Sequence, residues 1–274
     1  MLRALSTHVF LRQRLHPGLL DTLARGGAQA IEVFAAKQHF DYTSRQHIKE
    51  IADWFQSSEV KPHSLHGPLY ADSEMGRGGM PSINVVHHDK SRRIDGMDEV
   101  KRALEAAEIL PYQFLVLHLG DRDSDWDERT LEYALTAIEH LKAFGGPLGV
   151  KLLLENIQNE VTAPAHLAEI IRVGHFSNVG VCFDLGHANL MTGVDPSLET
   201  LLPLIGSTHL HDNQGDRDAH LWPGDGKIVW EPAIAALKTA PRSPAALLEI
   251  HYELGETPDI VAKRAAETFE KFGI

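Results

Sequence analysis

Cysteine is all but missing from this chain, whose 274 residues carry only Cys182. A lone thiol excludes an internal disulfide, so packing must hold the core, as is usual in reducing compartments. Long apolar runs are missing too. No stretch of about eighteen apolar residues occurs, which leaves no candidate for a membrane-spanning helix. The opening MLRALSTHVFLRQRL is too charged and interrupted for a signal-peptide core. Positive charge is in deficit, with 26 Lys and Arg against 38 Asp and Glu and a net charge of −12. That balance opposes nucleic-acid binding through overall charge, although it leaves a local basic patch open. A soluble, cytoplasmic chain with no membrane partner is expected, and association into a homo-oligomer is left open.

What is present is an ordinary globular composition, 43% hydrophobic and 23% charged, enough for a full core. Short apolar runs alternate with helical patterns from end to end. The expected strands are 4–10, 30–34, 60–65, 114–117, 151–154, 179–183, 206–211 and 245–250. The expected helices are 17–24, one reaching residue 57 with Ser44 as its N-cap, then 95–110, 127–144, 163–173, 196–202, 230–238 and 258–272. The runs LVL, LLL, VCF and ALL read as strands buried on both faces. Eight strand-helix units in a length near the ~250 residues of one α/β barrel point to a single (β/α)8 TIM barrel spanning 1–274. A doubly wound sheet is the alternative. It calls for a glycine-rich phosphate loop after the first strand, where this chain has THVFLRQR. Residues 70–94, rich in Gly, Ser and His, form a loop long enough to act as a lid.

In such a barrel, chemistry gathers where strands end. His66 ends the third strand, His118 the fourth (VLHLG) and Glu155 the fifth (LLLEN). Asp184 ends the sixth, with His187 three residues on (CFDLGH); His209 and Glu249 (LLEIH) end the last two. Each follows apolar residues, where an uncompensated charge is costly. One such residue is explained by a satisfied buried polar group. Six successive strand ends bearing His, Asp or Glu point to a metal site. The densest stretch is STHLHDNQGDRDAHLWPGDGKIVW, where strand alternation places His209 and His211 on one face, followed by Asp218 and His220.

Other residues carry two readings each. His8 ends the first strand and either contacts substrate or bonds to backbone. Trp222 either walls the pocket or packs its loop. Glu32 either braces the barrel floor or binds a substrate hydroxyl. Asp212 caps a turn, Cys182 is core, and His87-His88 lie at the surface. Lys37, Lys90, Arg92, Arg93, Arg122 and Arg217 are expected in loops, where they grip a phosphate or are simply solvated.

Through LEN, FDxGH, HLHDN, DxHxxPGDG and the strand-eight Glu, the chain resembles the xylose-isomerase-like TIM-barrel superfamily over nearly its whole length. That group holds sugar isomerases and epimerases together with endonuclease IV, of the AP endonuclease family 2. The resemblance implies one divalent ion (Mn, Zn, Co or Mg) on Glu155, Asp184, His209 and Glu249, with His211 also pointing inward. It implies a carbohydrate substrate, either a sugar, a sugar phosphate or a related polyol ketone. Glu155 and Glu249 would move its proton through an ene-diolate, and His187 and Arg217 would hold its oxygens. Likeness to endonuclease IV adds His66, His118, His187, Asp218 and His220 as ligands of a trinuclear zinc centre acting on abasic DNA. The short acidic QGDRD, ending in Asp218, favours the small substrate.

Overall fold

The computed structural model describes residues 1–251 and 256–274. Eight strands lie in it: Arg3–Ser6 (β1), Ala30–Phe34 (β2), Lys61–His66 (β3), Phe114–Leu117 (β4), Lys151–Glu155 (β5), Gly180–Asp184 (β6), Ile205–His209 (β7) and Ala246–Leu248 (β8). They form one sheet in the order β7-β6-β5-β4-β3-β2-β1-β8, and every ladder in it is parallel. β1 pairs with β8 from Arg3 opposite Ala246 to Leu5 opposite Leu248. A single parallel bridge, Leu210 opposite Leu248, joins β7 to β8 and closes the (β/α)8 barrel.

The helices are Pro17–Arg25 (α1), Arg45–Ser57 (α2), Lys90–Glu105 (α3), Glu128–Gly145 (α4), Pro164–Val173 (α5), Leu185–Leu190 (α6), Val194–Leu201 (α7), Trp230–Lys238 (α8) and Pro258–Lys271 (α9). Local chemistry sets their starts. Ser44 accepts a bond from His47 N at the head of α2, and Asp127 accepts one from Thr130 N at the head of α4. Inside the barrel, Val116, Leu153 and Cys182 pack together, and so do Ala4, Ala30, Ala245 and Leu247. Cys182 is core as expected, and burial pushes its thiol up, away from reactivity.

The departures have local causes. The first strand stops at Ser6, whose hydroxyl caps a 3-10 turn over Thr7–Phe10 by accepting from His8 N. α3 begins five residues before its expected start, because the Asp89 carboxylate accepts from Ser91 N. Lys90, Arg92 and Arg93 therefore lie on a helix instead of in a loop. A short helix, α6, also appears directly after β6, where none was expected. Asp184 caps it by accepting from His187 N. No helix among the described residues is long and apolar enough to cross a membrane.

Two ladders slip by one residue. Between β2 and β3, Ile31 faces Pro62 but Glu32 faces Ser64. Between β6 and β7, Val181 faces Ile205 but Cys182 faces Ser207, which brings Asp184 opposite His209. Because strand side chains alternate, an extra residue decides which side chains share a face.

One buried imidazole gives the fold an acid limit. His39, 0% exposed, places Nδ1 2.6 Å from the Gln13 carbonyl and leaves Nε2 unpartnered. Burial, aided by nearby His47, lowers its pKa from 6.5 to about 4. The unfolded chain therefore binds this proton more readily. The stability is fully present above pH 6.5 and falls as the pH drops toward 4, by roughly 3 kcal/mol. Urea unfolding of metal-free protein at pH 7 and 4.5 checks this. The acid-induced loss should shrink in His39→Phe, and an undiminished loss would assign it to other groups.

Candidate metal centre

The strand ends bring their side chains to one point. Glu155, at the end of β5 and 1% exposed, is the hub. Its Oε2 lies 3.0 Å from His118 Nε2 and 3.4 Å from His66 Nε2. Its Oε1 lies 3.3 Å from His187 Nδ1 and 3.5 Å from His209 Nδ1. His209 Nδ1 also lies 3.3 Å from Glu249 Oε2 and 3.8 Å from Asp184 Oδ2. That nitrogen is buried without a hydrogen-bond partner, while three carboxylates face it. A buried, unpaired donor-acceptor surrounded by oxygens is what a divalent cation would satisfy.

A second group lies beside the first. Asp218 Oδ2 is 3.1 Å from His187 Nε2 and 3.2 Å from His220 Nε2. His211 Nε2 is 2.9 Å from Asp184 Oδ2 and 3.8 Å from Asp218 Oδ1, so it sits between the two groups. Its ring packs against Gly186, where a Cβ would come within 1.9 Å of His211 Cε1. The glycine of FDLGH is thus the floor on which His211 rests. His220 is held at φ 45°, a strained backbone for a side chain of its size. The Glu249 carbonyl, 2.9 Å from Nδ1, anchors its ring.

Charge is balanced within this cluster. Burial alone would raise the Glu155 carboxyl, yet the imidazoles, His118 and His209 foremost, hold it well below the usual carboxylate range. Burial alone would lower His187, but Asp184, Asp218 and Glu155 outweigh it and hold the ring well above the ordinary value. His220 behaves likewise: against burial, Asp218 raises it to about 9. The same contest leaves Asp218 well below its ordinary value, through His187 and His220. Without an ion, protons hold the carboxylates together, and an ion entering the cluster displaces them.

All ten metal-type residues singled out in the sequence converge here: His66, His118, Glu155, Asp184, His187, His209, His211, Asp218, His220 and Glu249. The four proposed substrate contacts do not share one place. His187 is in the cluster. His8 borders it, its ring 4.7 Å from that of His220, with Nδ1 3.2 Å from the Ile250 carbonyl. Arg217 is exposed on its loop. Trp222 is 3% exposed and packs the loop, its indole N–H donating to Glu256 while Arg264 stacks on the ring. Of the cations expected in loops, Lys37 is paired with Glu99, and Arg92 and Arg93, on α3, reach His87 and cover the Tyr133 ring.

Asp212 proves to be an organiser of the PGDG turn. Its Oδ1 accepts from Asn213 N and Ile228 N, at 2.9 and 3.1 Å. Its Oδ2 accepts from Gly224 N and the Trp230 indole, at 2.9 and 2.8 Å. Gly226 must lack a side chain, since a Cβ there would lie 2.2 Å from Oδ1.

A profile of xylose isomerase-like TIM barrels matches residues 20–272. The chain belongs to that family. An uncharacterised protein of Methanocaldococcus jannaschii is 26% identical over 244 residues, covering 85% of this chain and 78% of the other. An uncharacterised protein of Sinorhizobium fredii is 28% identical over 198 residues, covering 65% and 62%. Among solved structures, a D-tagatose 3-epimerase-like protein superposes with a TM-score of 0.80 at 23% identity, over 99% of this chain and 97% of that one. The protein IolI, with a bound zinc atom, gives 0.79 at 20%, over 99% and 98%. A D-psicose 3-epimerase, solved in the presence of D-fructose, gives 0.75 at 18%, over 99% and 96%. At such identities the likeness is one of fold, and the fold is that of sugar isomerases and epimerases.

Proposed function

We propose that this chain is a divalent-metal-dependent isomerase or epimerase of a sugar, a sugar phosphate or a related polyol ketone. The observation that carries the reading is the unpartnered His209 Nδ1 facing Glu155, Asp184 and Glu249 within 3.8 Å. These four residues would hold the ion, which when bound supplies a Lewis acid for the substrate carbonyl. Glu155 ends β5 and Glu249 directly follows β8, with β6 and β7 between them round the barrel. One carboxylate takes the proton from the carbon beside the carbonyl, and the other returns it on the opposite face, giving epimerisation. A single glutamate returning the proton to the neighbouring carbon gives isomerisation. His187 and His8 border the reacting region and orient hydroxyl groups. Of the segment 70–94, whose last residues belong to α3, residues 73–75 and 77 line a cavity of about 370 Å³ with Leu11, Arg12 and Gln38, and the part before the helix would serve as a cover.

A second reading is supported by one specific observation. Glu155 directs Oε1 to one set of imidazoles and Oε2 to another, and Asp218 gathers His187 and His220 beyond them. That is room for three ions and for phosphodiester hydrolysis of abasic DNA, as the likeness to endonuclease IV implies. The rim argues for the sugar. On the loops after β4 and β7, exposed Asp123, Asp125 and Asp216 outnumber exposed Arg122 and Arg217, which offers a phosphate backbone little net attraction.

The test sets a panel of ketoses and their phosphates in deuterated water beside an abasic-site duplex at low salt, with metal counted per chain. Solvent deuterium is expected at the carbon next to the carbonyl, with one tightly held ion. Incision of the duplex that vanishes in Asp218→Ala and His220→Ala would replace the isomerase reading with the trinuclear one.

A further inference from the structure

Glu32 lies outside the four residues assigned to the ion. It occupies the middle of β2, 0% exposed, where apolar neighbours give a carboxylate no solvent. Its Oε1 lies 3.1 Å and its Oε2 3.4 Å from His209 Nε2. Its Oε2 also accepts from the Ser64 hydroxyl at 2.7 Å. The slip in the β2–β3 ladder sets this second contact, because it places Ser64 opposite Glu32 instead of His63. Burying a carboxylate costs several kcal/mol unless geometry and hydrogen bonds compensate. Here both compensations converge on one side chain, and one of them is an imidazole of the candidate centre.

We infer that Glu32 is a positioning residue that selects which nitrogen His209 presents to a metal ion. A neutral imidazole has one lone pair, and the nitrogen carrying it is fixed by the partner of the other. His209 Nε2 faces Glu32, which takes its N–H. Nδ1 faces Glu155, Asp184 and Glu249 and has no hydrogen-bond partner. A carboxylate behind a ligating imidazole also locks the ring and raises its basicity. Two other rings of the cluster lean on backbone carbonyls instead, His66 on Gly67 and His220 on Glu249. Glu32 therefore strengthens the His209 position relative to these. The inference rests on the proposed ion site and is independent of the reaction run there.

The experiment titrates metal-free full-length protein with Zn²⁺ against a chromophoric chelator, for wild type and Glu32→Gln. The glutamine keeps an acceptor oxygen but loses the charge. The tightest ion should bind about 10–100-fold more weakly with the stoichiometry unchanged. The long-range proton–nitrogen spectrum of zinc-loaded wild type should show His209 protonated at Nε2 and metallated at Nδ1. Equal affinity in the two proteins, or zinc on Nε2, would overturn the inference. Loss of one whole equivalent would overturn it too, by making Glu32 a ligand. If Glu32→Gln does not fold, Ser64→Ala replaces it. That variant removes the hydroxyl that orients Glu32, and a smaller loss in the same direction is expected, with unchanged affinity counting against the role. Failure of wild type to bind zinc at all would instead remove the ion site itself.

Discussion

Glu155→Gln is expected to leave the barrel folded and to cut turnover by about 10²–10⁴-fold through lost proton transfer alone. The reason lies in how fully the carboxylate is engaged. Its two oxygens meet four imidazoles, those of His66, His118, His187 and His209, between 3.0 and 3.5 Å away. An amide of the same shape offers oxygen to one pair and N–H to the other. One pair of rings then faces a donor where it had an acceptor, and the charge that offset them is gone. Metal content should fall with turnover, because Glu155 lies within reach of every ligand-type nitrogen on this side of the cluster. The measurements are circular dichroism for the fold, elemental analysis for the ion and product formation from whichever substrate the panel yields. Wild-type turnover in Glu155→Gln would remove the residue from the chemistry.

The largest loss of stability is expected from Asp212→Ala, about 3–5 kcal/mol. Four donors lose their acceptor: the amides of Asn213, Gly224 and Ile228 and the indole of Trp230. Three of these donors are buried, each costing roughly 1–3 kcal/mol when unsatisfied, while the exposed Gly224 amide can turn to water, and water entering the gap repairs part of the rest. For a chain of this size the midpoint of thermal unfolding should fall by roughly 6–20 °C. Asp212→Asn should recover only part of it, because its amide turns N–H toward one pair of these donors. Tryptophan fluorescence follows the same event locally, since Trp230 leaves its bond. An unchanged midpoint in Asp212→Ala would mean that the turn over 223–226 stands without this carboxylate.

The strands were legible because barrel strands buried on both faces leave a plain trace. LVL, LLL and ALL each mark a strand, and the polar residue that follows marks its end. The convergent cluster was legible for the same reason, since Glu155, Asp184 and Glu249 interrupt apolar runs that otherwise have no place for charge. What could not be read is the register. Nothing in AIEVF or KPHSLH announces that Glu32 will face Ser64, because a slipped ladder depends on packing between strands distant in sequence. Glu32 itself drew notice as a charge inside a strand, yet its partner His209 lies 177 residues away. Two features were not legible, for local reasons. The early start of α3 and the presence of α6 come from the Asp89 and Asp184 carboxylates acting as helix caps, which apolar periodicity does not announce. Trp222 beside a proline gives no sign of which way its ring turns, and of its two readings the structure shows the packing of its loop.

The single bridge between β7 and β8 bears on the order in which the barrel assembles. β1 to β7 each pair with a strand next in sequence, so their contacts can form progressively along the chain. β8 has its ladder with β1, from Arg3 opposite Ala246 onward, and this contact encloses nearly the entire polypeptide. Closing so long a loop carries the greatest entropic cost and is rewarded only when both edges are already in place. The last strand is therefore expected to dock late, between an edge it matches by three residue pairs and one it meets through the Leu210 bridge and the Thr208 hydroxyl. Glu249 follows that strand directly. An intermediate lacking β8 would carry Glu155, Asp184 and His209 without Glu249, so if these four hold the ion as proposed, the complete set would come together only when β8 docks.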